Sequence, residues 1–305
     1  MKDIYFLKPY FENKIWGSSN LKKFNLKIKN NHVGEAWIIS GYHGKSSTIT
    51  NGKYKNKTLE WLFKNKPEIF NNSNLKEYPL LTKILDCNDK LSVQVHPDDQ
   101  YARKNYSQLG KNECWYILGA KKDASIIYGH NAKTKKQLVD WVNQNEWKKL
   151  LRIKKVKKGD FVFVPAGTIH AINANIMIYE LQQSSDLTFR LYDYNRLSNG
   201  KPRPLHIKES LDVITVPHKD FKVNKKSNVL TDSKFFKLVK IDNVSTKKYT
   251  FNDAQWLQVS IISGKGILNN QKEINVGDSF IIASKIDYFT LSGKLTALVS
   301  YIKKI

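Results

Sequence analysis

The strongest constraint on this chain is a series of short runs rich in β-branched and aromatic residues, each broken by Gly, Pro or Asn. They are GEAWIISG, LTKILD, LSVQV, ECWYILG, ASIIYG, DFVFVPAG and IMIYELQQ. Such runs read as strands, and many of them in series predict an all-β sandwich or barrel. Helical patterns are confined to a few places. TLEWLFKNKPEIF follows Thr58, DDQYARKNY follows the turn at Pro97, and TKKQLVDWVNQNEWKKLL follows Thr134. HIKESLDVI follows Pro202 and Pro204. Ser, Thr and Asp suit these helix starts because their side-chain oxygens accept from the free N–H groups of the first turn. A polar, unpatterned linker is expected around VPHKDFKVNKKSNVL, and strand-like sequence resumes from about Phe235.

An internal repeat refines the barrel expectation. VKKGDFVFVPAGTIHAI aligns with INVGDSFIIASKIDYFTL on a Gly-Asp turn, an apolar strand, and a second strand beginning eleven residues past the glycine. That position is His170 in the first copy and Tyr288 in the second. Upstream, ECWYILGA aligns with QVSIISGK, which sets Glu113 against Gln258. Each copy reads as part of an antiparallel barrel, and only the first retains metal-binding side chains.

Composition limits the classes of function. With 305 residues, 41% hydrophobic and 12% aromatic, the chain has material for a substantial core and is too apolar for a disordered protein. MKDIYFLKPYFENKIWG has no uncharged apolar core and no small-residue cleavage site, so no signal peptide is expected. No apolar run approaches transmembrane length. Two cysteines make no disulfide framework, which fits a cytoplasmic setting. The formal charge of +24 would suit a nucleic acid, an acidic membrane surface or a phosphorylated substrate. The lysines are thinly spread, however, with no arginine-rich arm, and are read as a solvated surface.

Chemistry concentrates in four residues. In LSVQVHPDD, period two turns Gln94 and His96 to one face, with Ser92 one step before, and Val93 and Val95 to the other. Glu113 opens the next strand-like run, and His170 follows the turn PAGT. Two imidazoles, a carboxylate and an amide oxygen form a set suited to a divalent transition metal, and a small barrel brings inward side chains from separate strands together. Each residue alone has an ordinary alternative. A strand histidine is more often a hydrogen-bonded core residue, and Glu113 would serve as an ion-pair partner.

Beyond these residues, LLTKILDCNDKLSVQVHPDD, GKNECWYIL, GDFVFVPAGTIHAI and YELQQSSDLTFRLYDYNR, in order, closely resemble the type I mannose-6-phosphate isomerases of the short bacterial branch. KIWGSSNL and GEAWIISG fit as well, and the resemblance runs from about Lys8 to Ile214. It implies a mainly β fold of two cupin-type jelly-roll barrels with a few helices packed on the catalytic part. Residues 1–230 would form the catalytic unit, and residues 231–305 a barrel without metal ligands. It implies one zinc per chain on Gln94, His96, Glu113 and His170. Its other site residues fall on Lys83, Lys111, Glu180, Asp186, Arg190, Ser92, Trp16 and Glu35. Two departures stand out. The longer relatives carry a tyrosine where this chain has Ile172, and their large helical insertion is missing.

The implied reaction interconverts mannose 6-phosphate and fructose 6-phosphate through a cis-enediolate. Arg190, Lys111 and Glu180 are its catalytic candidates, with the general base open among Glu180, Lys111 and a metal-bound water. Arg190, Lys83 and Ser92 are the phosphate candidates. Trp16, Glu35 and Asp186 complete the substrate-binding set. The alternative for Arg190 is a structural ion pair with Asp186 or Asp193. The expected partner is a small hexose 6-phosphate, without nucleic acid or membrane, acting on a monomer or a weak homodimer. Two rival readings are a metal-dependent cupin oxygenase and a non-catalytic sugar- or nucleic-acid-binding barrel.

Overall fold

The computed structural model describes residues 3–198, 200–221 and 227–304. The short runs form antiparallel strands, and their alternation sorts side chains into layers. One six-stranded sheet has the order Phe161–Val164, Glu113–Ala120, Ile176–Gln183, Leu80–Cys87, Val33–Ser40, Tyr10–Ser18. A five-stranded sheet faces it, in the order Phe189–Tyr192, Val93–Val95, His170–Ile172, Ser125–His130, Leu151–Lys155. Between them, Leu85, Trp115, Ile117, Val162 and Ile178 of the first sheet pack with Ile126, Tyr128 and Ile172 of the second. Val93 and Val95 turn outward, into a layer closed by Leu138 and Val142 of the Lys135–Asn143 helix. The functional face of the Val93–Val95 strand is therefore the inward one.

The helices begin where their caps require. Thr58 Oγ1 accepts from Trp61 N at 3.0 Å, Asp98 Oδ1 from Tyr101 N at 2.9 Å, and Thr134 Oγ1 from Gln137 N at 3.1 Å. The Ile207–Val213 helix follows the proline turns. Among the described residues no helix is long and apolar enough to cross a membrane.

The second unit is a ten-stranded sheet system whose interior is filled by Val259, Ile261, Phe280, Ile282 and Phe289. The chain's own first strand joins it. Ile4–Lys8 pairs with Ser279–Ile282 in the register Ile4↔Ile282 and Phe6↔Phe280, so the second barrel is completed from across the 230/231 division. Of the expected linker, residues 222–226 lie outside the described residues.

The repeat is real in geometry but slips by one residue at its upstream end. Gly159 and Gly277 both adopt positive φ (90° and 94°), and both second strands open eleven residues later, at His170 and Tyr288. Yet Glu113 pairs with Val164, whose counterpart Ile282 pairs with Leu257, not Gln258. The counterpart of Gln258 is Cys114. A one-residue shift reverses the face, so Gln258 leaves the barrel interior for the layer between the two units. There its carboxamide accepts from Tyr78 Oη at 2.7 Å and donates to Ser300 Oγ at 2.9 Å.

That shared layer ties the units together. Leu80, Ile84, Cys114 and Leu181 of one sheet meet Leu238, Ile281 and Leu298 of the other, with Phe63, Phe70, Tyr78 and Trp256 at its centre. Trp256 is 1% exposed, lies edge-on to Phe70 at 5.2 Å, and donates Nε1–H to Tyr78 Oη at 3.1 Å. Trp256→Ala is expected to cost about 3–5 kcal/mol through cavity formation. The check is the denaturant midpoint of unfolding, and a change under 1 kcal/mol, on the order of a surface substitution, would contradict the role assigned to this layer.

Candidate active site

The site grows from two facing rows of side chains set by strand register. In the five-stranded sheet, Arg190, Gln94 and His170 lie side by side on three adjacent strands. In the six-stranded sheet, Lys83, Glu180 and Trp115 do the same. His96 and Glu113 stand at strand ends beside these rows. Two glycines make the approach possible. At Gly167 (φ +82°), in the PAGT turn before His170, a Cβ would lie 2.4 Å from Thr215 Oγ1, and its N–H donates to the His96 carbonyl at 2.8 Å. At Gly110 a Cβ would lie 2.4 Å from the Asp98 backbone, and this close approach lets Lys111 N donate to the Pro97 carbonyl at 2.9 Å.

His96, Glu113 and His170 are each 1% exposed, and their candidate ligand atoms lie within 4.8 Å of one another. His96 Nε2 and His170 Nε2 are each 3.4 Å from an oxygen of the Glu113 carboxylate. Ligands about 2.0–2.2 Å from a tetrahedral ion are separated by about 3.3–3.6 Å, so these spacings fit a bound metal. The hydrogen bonding agrees. His96 Nδ1 donates to the Leu187 carbonyl and His170 Nδ1 to the Thr168 carbonyl, both at 2.9 Å, which leaves each Nε2 with its lone pair turned inward. His96 Nε2 and both Glu113 oxygens are buried without a hydrogen-bond partner among the described residues, a costly arrangement that a cation relieves. The Gln94 amide lies 3.3 Å from His170 Nε2, and turning it over about its last bond presents its carbonyl oxygen instead. The donor set therefore fits a divalent metal.

Protonation states suit ligation too. Burial, with the Lys111 charge, lowers the His96 imidazole to about 3, and burial also lowers His170. Burial raises the Glu113 carboxyl, but Lys111 at 3.6 Å and the two imidazoles outweigh it and hold it well below the usual range.

The cluster borders a cavity of about 290 Å³ lined by Trp16, Glu35, Lys83, Ser92, Gln94, Lys111, His170, Glu180, Asp186 and Arg190. Every site residue expected from the sequence thus borders this cavity or, for His96 and Glu113, stands in the buried cluster behind it. Most of its cations already have carboxylates. Lys83 Nζ lies 3.4 Å from Glu35 and 3.6 Å from Glu180, above the Trp37 ring. Glu35 feels burial, but Lys83, Lys14 and the Trp37 N–H hold its carboxyl at about 2. Glu180 gains less from Lys83. Burial and the nearby Glu113 carboxylate push it up to about 7, while its Oε1 accepts from Trp115 Nε1 at 3.1 Å. Arg190 makes no ion pair with Asp186 or Asp193 among the described residues. Asp186 is held by Lys45 at 2.9 Å, and Asp193 by Arg196 and Arg203.

The sequence reading missed Lys14, Leu85, Trp115, Thr188 and Arg203, all of which line the cavity. Leu85, Trp115 and Thr188 lie two residues from Lys83, Glu113 and Arg190, so extending the period-two faces by one step finds them. Lys14 and Arg203 reach the cavity from loops and irregular strands, where no periodicity points. A larger open groove of about 750 Å³ runs between the Asp99–Tyr106 and Ile207–Val213 helices, and none of the four candidate ligands lines it.

Comparison with known proteins places this geometry in context. The family model of the phosphomannose isomerase type I catalytic domain matches residues 4–122, and that of the mannose-6-phosphate isomerase cupin domain matches residues 225–302. A model of the JmjC hydroxylase domain matches residues 84–177, the stretch that carries the ligand strands. The mannose-6-phosphate isomerase of Streptococcus mutans is 40% identical, with 99% of each chain covered. The crystal structure of the mannose 6-phosphate isomerase from Bacillus subtilis is 40% identical and superposes with a TM-score of 0.93 over 99% of this chain and 100% of that one. A solved mannose 6-phosphate isomerase bound with zinc and yttrium shares the fold at 16% identity and a TM-score of 0.78, over 99% of this chain and 100% of that one.

Proposed function

This chain belongs to the type I phosphomannose isomerase family, and on that premise we propose that it interconverts mannose 6-phosphate and fructose 6-phosphate, with zinc held by Gln94, His96, Glu113 and His170. The observation that carries the reading is the buried cluster of unpartnered, deprotonated ligand atoms bordering a cavity that also holds guanidinium groups. Residues 1–230 would be the catalytic unit, with 231–305 a structural barrel capped by the chain's first strand.

The reaction moves a proton between C1 and C2 of the open-chain sugar and another between the two oxygens. Zinc at this site supplies Lewis-acid stabilisation of the negative charge that develops on those oxygens. The chain's own groups do the rest. Glu180 is the proton carrier. A carboxyl poised near 7 both accepts a proton from one carbon and returns it to the next, and the Trp115 N–H on Oε1 leaves Oε2 as the working atom. Lys83 beside that oxygen favours its ionised form without neutralising it, because Glu35 competes for the same ammonium. Lys111, next to Glu113, adds fixed positive charge at the reacting end. Arg190 and Ser92 serve as binding groups for the rest of the sugar phosphate.

The test is a coupled assay of metal-replete protein with mannose 6-phosphate, run alongside glucose 6-phosphate. Formation of fructose 6-phosphate from the mannose substrate is expected, and its absence would sink the reading. An oxygenase, the reaction class suggested by the partial JmjC match, would leave the cationic lining without a role and would consume dioxygen in the same cuvette.

A further inference from the structure

We propose that Arg203, outside the ligand strands, is a phosphate-binding residue that works with Arg190, so that the sugar lies with its phosphate against this pair and its C1–C2 end at the metal cluster. The inference rests on the isomerase reading and adds the orientation of the substrate.

The argument is one of uncompensated charge. Lys14 is paired with Glu12 at 2.6 Å and Glu35 at 3.2 Å, Lys83 lies between Glu35 and Glu180, and Lys111 is beside Glu113. Lys14 and Lys83 are therefore already matched by carboxylates, and Lys111 is matched until Glu113 takes the metal. The arginines are not. Arg203 turns Nε and Nη2 onto the buried Asp193 carboxylate at 2.7 and 2.6 Å, a fork that fixes its plane. Its Nη1 has no partner among the described residues. Arg196 donates to the same Asp193 oxygen at 2.6 Å, so one carboxylate is shared by two guanidiniums. Arg190 Nη1 donates to the carbonyl of Pro204, the residue after Arg203, at 2.7 Å, and its buried Nε has no partner. Asp89, 3.4 Å from Arg196 and largely exposed, is the other carboxylate in reach. Three guanidiniums thus face one buried and one exposed carboxylate. The two that line the cavity hold the free donors.

A group that satisfies such donors is compact, carries close to two negative charges and offers several acceptor oxygens, which describes a phosphate monoester. The spacing agrees. Arg190 adjoins the Gln94 strand and lies two strands, about 10 Å across the sheet, from His170, which leaves the guanidinium pair to one side of the ligand cluster. Lys83 then belongs to the reacting end, with Glu180.

The experiment is calorimetric titration of inorganic phosphate and of fructose 6-phosphate into zinc-loaded wild type, Arg203→Gln and Arg203→Lys, with kcat and KM for mannose 6-phosphate measured in parallel. Arg203→Gln is expected to weaken both ligands by about 10- to 100-fold and to raise KM to the same degree, with kcat little changed. Arg203→Lys is expected to recover part of that loss. Affinity for phosphate unchanged in the Gln variant, or a fall in kcat at constant KM together with a lower melting temperature, would overturn the proposal in favour of a purely structural role. Should Arg203→Gln fail to fold, Arg203→Lys decides: weakened binding of both ligands supports the assignment, and wild-type affinity refutes it. A wild type that binds both ligands without interconverting the sugars would sink the isomerase reading, while the affinities would still judge Arg203.

Discussion

Removing the metal from the purified protein is expected to lower mannose 6-phosphate isomerisation by about 10³-fold, and zinc added back is expected to restore it. Several kcal/mol of Lewis-acid stabilisation correspond to that factor at 1.36 kcal/mol per tenfold. The three titrating ligands are ready for the ion before it arrives. The Nδ1–H bonds to the Leu187 and Thr168 carbonyls aim both Nε2 lone pairs inward, and burial keeps both imidazoles neutral. Glu113 is already ionised. Zinc uptake at pH 7 should therefore release almost no protons from the three ligands themselves, and only a fraction of one from Glu180 as the metal offsets the Glu113 charge beside it, in contrast to sites whose ligands must first be deprotonated. Calorimetry in two buffers of different ionisation enthalpy reads this directly. Metal also binds the folded state alone, so the melting temperature should rise with zinc, by about 2.7 kcal/mol of stability at a hundredfold excess over Kd. A preparation shown by elemental analysis to be metal-free, yet turning over at the full rate, would rule out this account of the centre.

Much of this was legible in the sequence because strands write their faces with period two. LSVQV declared one aliphatic and one polar face, and Val93 and Val95 are buried on the outer side while Gln94 borders the cavity. The Glu113 and His170 strands begin at those residues, as read. What sequence alone misplaced was register. The repeat set Glu113 against Gln258, but pairing sets it against Leu257, because a local alignment of two similar strings carries no hydrogen-bond information. Likewise, Arg203 and Lys14 come from segments without period, and only the folded chain brings them to the cavity. The first strand's place in the second barrel is a long-range pairing that no local pattern encodes.

The same buried carboxylate that gives the site its proton carrier should also cost the fold stability, and Glu180→Gln separates the two effects. The substitution keeps the shape and removes the titration. Activity is expected to fall by about 10²- to 10⁴-fold, the usual contribution of a positioned acid–base group. In the wild type, kcat/KM should rise with pH as Glu180 ionises, with its midpoint at or somewhat below 7, since a cation on Glu113 offsets the second cause of the upward shift and leaves burial, the first. Stability runs the other way. The folded carboxyl near 7 holds its proton through a range where the unfolded one, near 4.5, has lost it. Its contribution is thus full below about 4.5 and is lost as pH rises through 7. At pH 8, metal-free Glu180→Gln should accordingly be more stable than metal-free wild type by roughly 1–3 kcal/mol, and at pH 4 the two should be nearly equal. Denaturant unfolding at the two pH values measures the difference. A variant that loses activity and is also less stable at pH 8 would mean that Glu180 is ionised and well paired in the fold, and the proton carrier would have to be sought elsewhere.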